Sequence, residues 1–241
     1  RWVGACHFQL CNDMTAIKHY SQAIQGSVNA THINLAHSYM FTRNMDKVLP
    51  ELAKVNFEGL ATSEKVHYLK VKSYYEEVND SLNQALSDIE AARELVQIIP
   101  ENTLWTPVIF RQIGSISGRL GKTKYSPLCY EQSLKFCTNQ VMGDRALVEY
   151  SGMLTYLGYY KEAKAKLEQV NLGNLEKTLL PLFYLHSGET ASGLQDFTEA
   201  QSYYDKAVNC AVKIALLGDE VVARLGLAHF NISQNLSTAA R

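Results

Sequence analysis

Residues 184–208 read YLHSGETASGLQDFTEAQSYYDKAV. Gly188 is followed three residues later by Ala191. A short turn, GLQDF, comes next, and then Ala200, Tyr204 and Ala207. The spacing from Ala200 is four and then three, which places these residues on one face of a helix. The stretch therefore reads as two helices joined by a turn, with small residues where the helices meet. Small side chains let two helix backbones approach closely. A ring such as Tyr204 then fills the space toward the next pair.

The same arrangement recurs in both directions. Residues 147–170, LVEYSGMLTYLGYYKEAKAKLEQV, supply Ser151, Leu154, Gly158, Tyr160, Ala163, Leu167 and Val170. Residues 110–134, FRQIGSISGRLGKTKYSPLCYEQSL, supply Gly114, Ser117, Gly121, Thr123, Ser126, Tyr130 and Ser133. Further back stand Ser73, Ala85, Ile89 and Ala92, then Ala36, Tyr39, Val48, Leu52 and Val55, and finally Gly4, His7, Ala16, Tyr20 and Ala23. The second helices are thus anchored at Ala16, Val48, Ala85, Ser126, Ala163 and Ala200. Pro107 and Pro181 fall in the expected first turn of a leading helix, and Pro50 and Pro127 in that of a second helix, where no amide donor is lost. One hairpin cannot bury its apolar face alone, and stacking supplies the missing partner.

This pattern resembles the tetratricopeptide repeat. The early small residue, the glycine turns of LGYY and RLGKT, and the later small–aromatic–small triplet carry the resemblance over nearly the whole chain. Most units exceed that family's period of about 34 residues, which demands longer helices or larger loops. The resemblance implies an all-α fold, a right-handed superhelix of stacked antiparallel helical hairpins. Residues 1–241 would form a single solenoid of about six hairpins and a partial seventh, beginning at Val222, Leu225, Gly226 and His229. The opening, RWVGACHFQL, already reads as helix and suggests a piece of a longer protein.

In that family the leading helices line a concave surface where partners bind. Carried over in register, the groove presents Asn34, His37, Lys70, Tyr74, Arg111, Gln112, Arg119, Glu149, His186 and Glu189. Lys70, Arg111 and Arg119 make its middle basic, which suits a segment bearing carboxylates or phosphates. One subset of the family clamps a terminal carboxylate with lysines and asparagines. Here Tyr74 stands where that clamp wants asparagine, and Gln112 follows Arg111 where a second cation is wanted. An internal acidic peptide is the expected partner, not a chaperone tail.

GSISGRLGKTK, residues 114–124, ends like a phosphate-binding loop. That loop needs G-x-x-x-x-G-K-[ST] after a strand, so that glycines free backbone amides to wrap a phosphate. Position 116, where the first glycine belongs, is Ile116, and TPVIFRQI ahead of it continues a helical pattern. The repeat register instead makes Gly114 a close-packing residue and Gly121 a turn. Cys6, His7 and Cys11 match no common zinc spacing. His186–Glu189, HSGE, lacks the second histidine of a metalloprotease helix. No catalytic residues, metal ligands or cofactor are expected.

Composition narrows the partner. A net charge of -1 argues against a generic nucleic-acid or membrane surface. The five cysteines form no C-x-x-C pair, and their odd number fits a reducing, intracellular compartment better than a disulfide framework. No apolar run approaches the roughly 20 residues that span a bilayer. The expected function is an interaction scaffold that holds a peptide or extended segment of another protein within a larger assembly. The alternative is a ligand- or peptide-sensing repeat region of a bacterial transcription or signalling regulator.

Overall fold

The computed structural model describes residues 29–42, 44–99, 104–214 and 217–239. The expectations for the first hairpin, at Gly4, Cys6, His7, Cys11, Ala16, Tyr20 and Ala23, lie outside the described residues. Among the described residues the regular structure is helical, with no strand. The chain divides between Gly121 and Lys122 into two compact units. The first contains α1 (Asn29–Phe41), α2 (Val48–Leu52), α3 (Thr62–Val78), α4 (Leu82–Gln97) and α5 (Trp105–Arg119). The second contains α6 (Tyr125–Phe136), α7 (Gln140–Tyr156), α8 (Tyr160–Leu167), α9 (Leu180–Gly193), α10 (Phe197–Lys213) and α11 (Leu217–Ala239).

In the first unit α1 packs on α2 and α3 on α4, while the leading helices α1, α3 and α5 lie side by side. In the second unit α7 packs on α8 and α9 on α10, and α7, α9 and α11 form the corresponding row. The anchors explain why. Val48, Ala85, Ser126, Ala163 and Ala200 are all fully buried. Ser73 Oγ donates to the Ala85 carbonyl at 2.6 Å, so the small residue of α3 touches the anchor of α4 directly. A methyl at Gly188 would lie 3.2 Å from the Tyr204 ring, which shows how closely α9 and α10 approach. Tyr130 is buried and stacks on Tyr150 of α7 at 5.0 Å with nearly parallel planes.

The turns follow one rule. Asp80, Gly121, Gly158 and Gln195 each adopt positive φ, between 59° and 82°, immediately after a leading helix. This left-handed residue lets the amides beyond it close on the last carbonyls of the helix. After α7 the Tyr159 amide donates to the Leu154 carbonyl at 2.8 Å and the Gly158 amide to Thr155 at 3.0 Å. Ser81 to Glu76 and Asp196 to Ala191 repeat the longer bond, both at 2.9 Å. Glycine adopts this conformation without a Cβ penalty, so Gly121 and Gly158 were legible as turns. Asp80 and Gln195 were not.

The prolines stand where expected, in the first turns of α2, α5, α6 and α9. The long period has both anticipated causes. The α3–α4 hairpin has helices of 17 and 16 residues, whereas α8 has 8 and leads into an extended connection before α9. Gly114 and Ile116 are buried within α5, and Gly121 lies in the turn that follows. The seventh unit departs from its expected register. Its single helix α11 buries Ala223 and Phe230 and lays Gly226 against Leu185 and Tyr204, while Val222 and Leu225 remain exposed.

Candidate functional site

In the first unit the expected residues Asn34, His37, Lys70, Tyr74, Arg111, Gln112 and Arg119 come from α1, α3 and α5. Asn34, Lys70 and Arg111 are half-buried, and Tyr74 is exposed. His37 and Lys70 meet, with Lys70 Nζ 3.0 Å from His37 Nε2. An ammonium can only donate, so His37 carries its proton on Nδ1 and donates to Nε2 of His67, 3.3 Å away. Trp105 lies 5.5 Å from the His67 ring. Burial, then the Lys70 charge, then His67 hold His37 well below the ordinary histidine range. Burial and, after it, Lys70 lower His67 to about 3. Both imidazoles are therefore neutral at physiological pH. His67 and Trp105 carry no repeat signature, and sequence reasoning passed over them.

Two groove expectations turn out to be engaged within the fold. Gln112 is buried, and its side-chain amide donates to Ser73 Oγ at 3.2 Å and to the Lys70 carbonyl at 3.4 Å. It ties α5 to α3. Arg119 donates to the Glu77 carbonyl at 2.8 Å and to Asp80 Oδ1 at 2.5 Å. Ser115 Oγ donates to Glu77 Oε1 at 2.6 Å beside it. The guanidinium thus satisfies a carbonyl at the end of α3 and neutralises the acid in the left-handed turn. Both residues look like surface candidates in the sequence because the register predicts a helix face. It does not predict which polar groups on the neighbouring helix need partners.

In the second unit Glu149 on α7 and His186 and Glu189 on α9 are half-buried. His186 Nδ1 lies 3.0 Å from Glu189 Oε2. Its ring rests on Gly152, where an added Cβ would fall 2.3 Å from Nε2. Arg145 pairs with Glu176 and lies 3.9 Å from Glu149. Thr155 and Thr190 share a hydroxyl hydrogen bond of 2.7 Å between the same two helices. The leading helices of this unit therefore meet through polar contacts and a glycine, leaving a mixed-charge face. The arrangement can hold a polar chain by hydrogen bonds and ion pairs. Among the described residues no group of three or more His, Cys, Asp or Glu could hold a metal ion. No described helix is long and apolar enough to cross a membrane.

No protein-family model matches the chain, and no curated protein matches it by sequence. Solved structures match it by shape. A Rap protein complexed with competence and sporulation factor has a TM-score of 0.73 and 13% identity, over 94% of this chain and 68% of that one. PilF of Pseudomonas aeruginosa gives 0.57 and 16%, over 93% and 94%. A signal-transduction ATPase with a tetratricopeptide repeat sensor, from Pyrococcus horikoshii, gives 0.59 and 18%, over 96% of this chain and 38% of that one. Identities this low establish architecture alone. Buried small-residue anchors, left-handed turns and these likenesses together give the chain the fold of the tetratricopeptide-type helical repeat.

Proposed function

We propose that this chain is a non-catalytic interaction module that holds an extended segment of another protein against its leading helices. The observation that carries the reading is the row of leading helices in each unit. These helices carry polar and aromatic side chains outside the core, among them Tyr74, which is exposed, and Lys70, Arg111, Glu149, His186 and Glu189, which are half-buried. A row of repeats offers a long chain several contacts in succession. In the first unit Lys70 on α3 and Arg111 on α5 are the cations offered to partner carboxylates. The segment is internal and acidic, and the module acts within a larger intracellular assembly. The odd number of cysteines, five with no C-x-x-C pair, supports a reducing compartment.

Affinity capture from lysate followed by mass spectrometry tests this reading. Arg111→Glu is expected to release captured partners. Arg119→Glu is expected to lower the melting temperature. Unchanged capture by Arg111→Glu would remove the basic groove from the account.

A second reading is the sensing repeat region of a bacterial transcription or signalling regulator. The specific observation favouring it is the TM-score of 0.73 to a Rap protein complexed with competence and sporulation factor. A change in radius of gyration by X-ray scattering on adding a captured peptide supports the sensor; a rigid profile supports the scaffold.

A further inference from the structure

We propose that the cavity between α8, α9 and α10 is a second docking site, which takes one large apolar side chain of a partner polypeptide flanked by lysine or arginine. It lies on a different face of α9 from His186 and Glu189, and it does not rest on the reading above. Its origin is the shortness of α8. That helix stops at Leu167 after 8 residues, whereas α10 continues for 17. Beyond the stop the chain forms no further α-helix before Leu180, and a cavity of 370 Å³ lies between α8, α9 and α10. Ligand cavities begin at roughly 300 Å³.

The chemistry of the lining selects the occupant. Leu167, Phe183 and Ala191 form a buried apolar floor, and Val170, Leu172 and Tyr203 form the walls. The hydroxyls in the floor are already used. Ser187 Oγ donates to the Phe183 carbonyl at 2.8 Å, and Thr190 shares its bond with Thr155. Both hydroxyl protons are thus committed, so an inserted acceptor would lose water and find no donor in a floor that is otherwise carbon; the group that fits is apolar. Leu172 stands 43% exposed at the edge, an apolar wall still open to solvent. The rim holds Lys164, Glu168 and Glu199. Lys164 lies 3.6 Å from Glu199, and the lining carries this one ammonium against two carboxylates, with Lys206 outside the lining over the Tyr203 ring at 5.2 Å. Tyr203 hydroxyl donates to Glu199 at 3.3 Å. Burial and then Glu199 raise the Tyr203 pKa, as expected of a phenol beside a carboxylate. Charge complementarity therefore assigns a cation beside the inserted side chain.

The test is amide-resolved NMR on the whole chain with three capped dipeptides: N-acetyl-leucyl-lysine amide, N-acetyl-leucyl-glutamate amide and N-acetyl-alanyl-lysine amide. The leucyl-lysine probe is expected to shift the amides of Val170, Leu172 and Tyr203 at millimolar concentration. The leucyl-glutamate probe is expected to bind about threefold more weakly, as befits an exposed charge contact. The alanyl-lysine probe should lose about tenfold, for the missing apolar surface. Leu172→Trp, a change at an exposed wall, is expected to fill the mouth and abolish the shifts while the melt is retained. Glu168→Gln should narrow the preference for lysine over glutamate. Absent shifts, equal response to the two leucyl probes, shifts confined to the surroundings of His186, or a Leu172→Trp variant that folds and still binds would each overturn the proposal.

Discussion

Tyr204→Ala probes the packing rule on which the fold depends. The ring is 4% exposed and lies between two glycines on two other helices. A Cβ at Gly188 would stand 3.2 Å from it on one side, and a Cβ at Gly226 3.1 Å on the other. Phe230 closes the third side at 5.4 Å between ring centres. Truncation leaves a cavity whose glycine walls have no side chains to move into it. The loss should fall in the range of buried aromatic truncations, about 3–5 kcal/mol. For a unit of this size that lowers the melting temperature by at least about 10 °C. Circular dichroism melts and urea titrations of the chain measure it. Tyr204→Phe keeps the ring and is expected to lose at most about 1 kcal/mol. Tyr74→Ala removes an exposed ring and is expected to lose less than about 1 kcal/mol. A Tyr204→Ala melt within error of the parent, or equal losses for Tyr204→Ala and Tyr74→Ala, would refute the nesting of rings against glycines.

Three further outcomes are expected. Gly143 in α7 has open space around an added methyl, whereas one at Gly193 would fall 2.3 Å from the Tyr160 ring. Gly143→Ala should stabilise by about 0.5–1 kcal/mol and Gly193→Ala should destabilise by about 1–3 kcal/mol, a contrast that urea midpoints resolve. Gln195 holds φ at 64° with a side chain that disfavours it. Gln195→Gly should therefore raise the melting midpoint, by about 0.5–1 kcal/mol in stability. The third outcome concerns pH. His67 stays neutral in the fold down to about pH 3, because of burial and then Lys70. Its stabilisation is complete above the unfolded value near 6.5, and it is lost as pH falls, by up to about 1.4 kcal/mol per unit. Glu76 works in the opposite direction. Burial and then Asp88 raise it to about 7, so acidification from that value favours the fold. Glu76 is common to the parent and to His67→Asn, so it cancels in the difference between them. Between pH 6.5 and 5 the parent should lose about 2 kcal/mol more than His67→Asn in urea titrations; parallel pH profiles would contradict the neutral imidazole.

Much of the fold was legible from spacing because the contacts that make a hairpin are local and repeated. Val48, Ala85, Ser126, Ala163 and Ala200 were found as small or compact residues in register, and each is fully buried. Gly121 and Gly158 were found because glycine marks a left-handed turn. Asp80 and Gln195 hold the same conformation without a glycine to announce it. The candidate site was less legible. Register places a residue on a helix face, whereas Gln112 and Arg119 are engaged within the fold. Their partners are a hydroxyl and carbonyls on α3 and a carboxylate in the turn that follows it, about forty residues away in the chain. Nothing in the local pattern encodes that pairing.

The sequence by itself determined the all-helical class, the hairpin unit, the anchors and the positions of the prolines. Each of these rests on helical periodicity and on side-chain volume within a few turns. Only the tertiary structure decided which polar side chains are consumed within the fold, how His37, Lys70, His67 and Trp105 come together, and that the short α8 leaves a cavity beside α10. Those outcomes depend on which groups are brought near one another across separate helices and denied to water, and proximity of that kind is a property of packing.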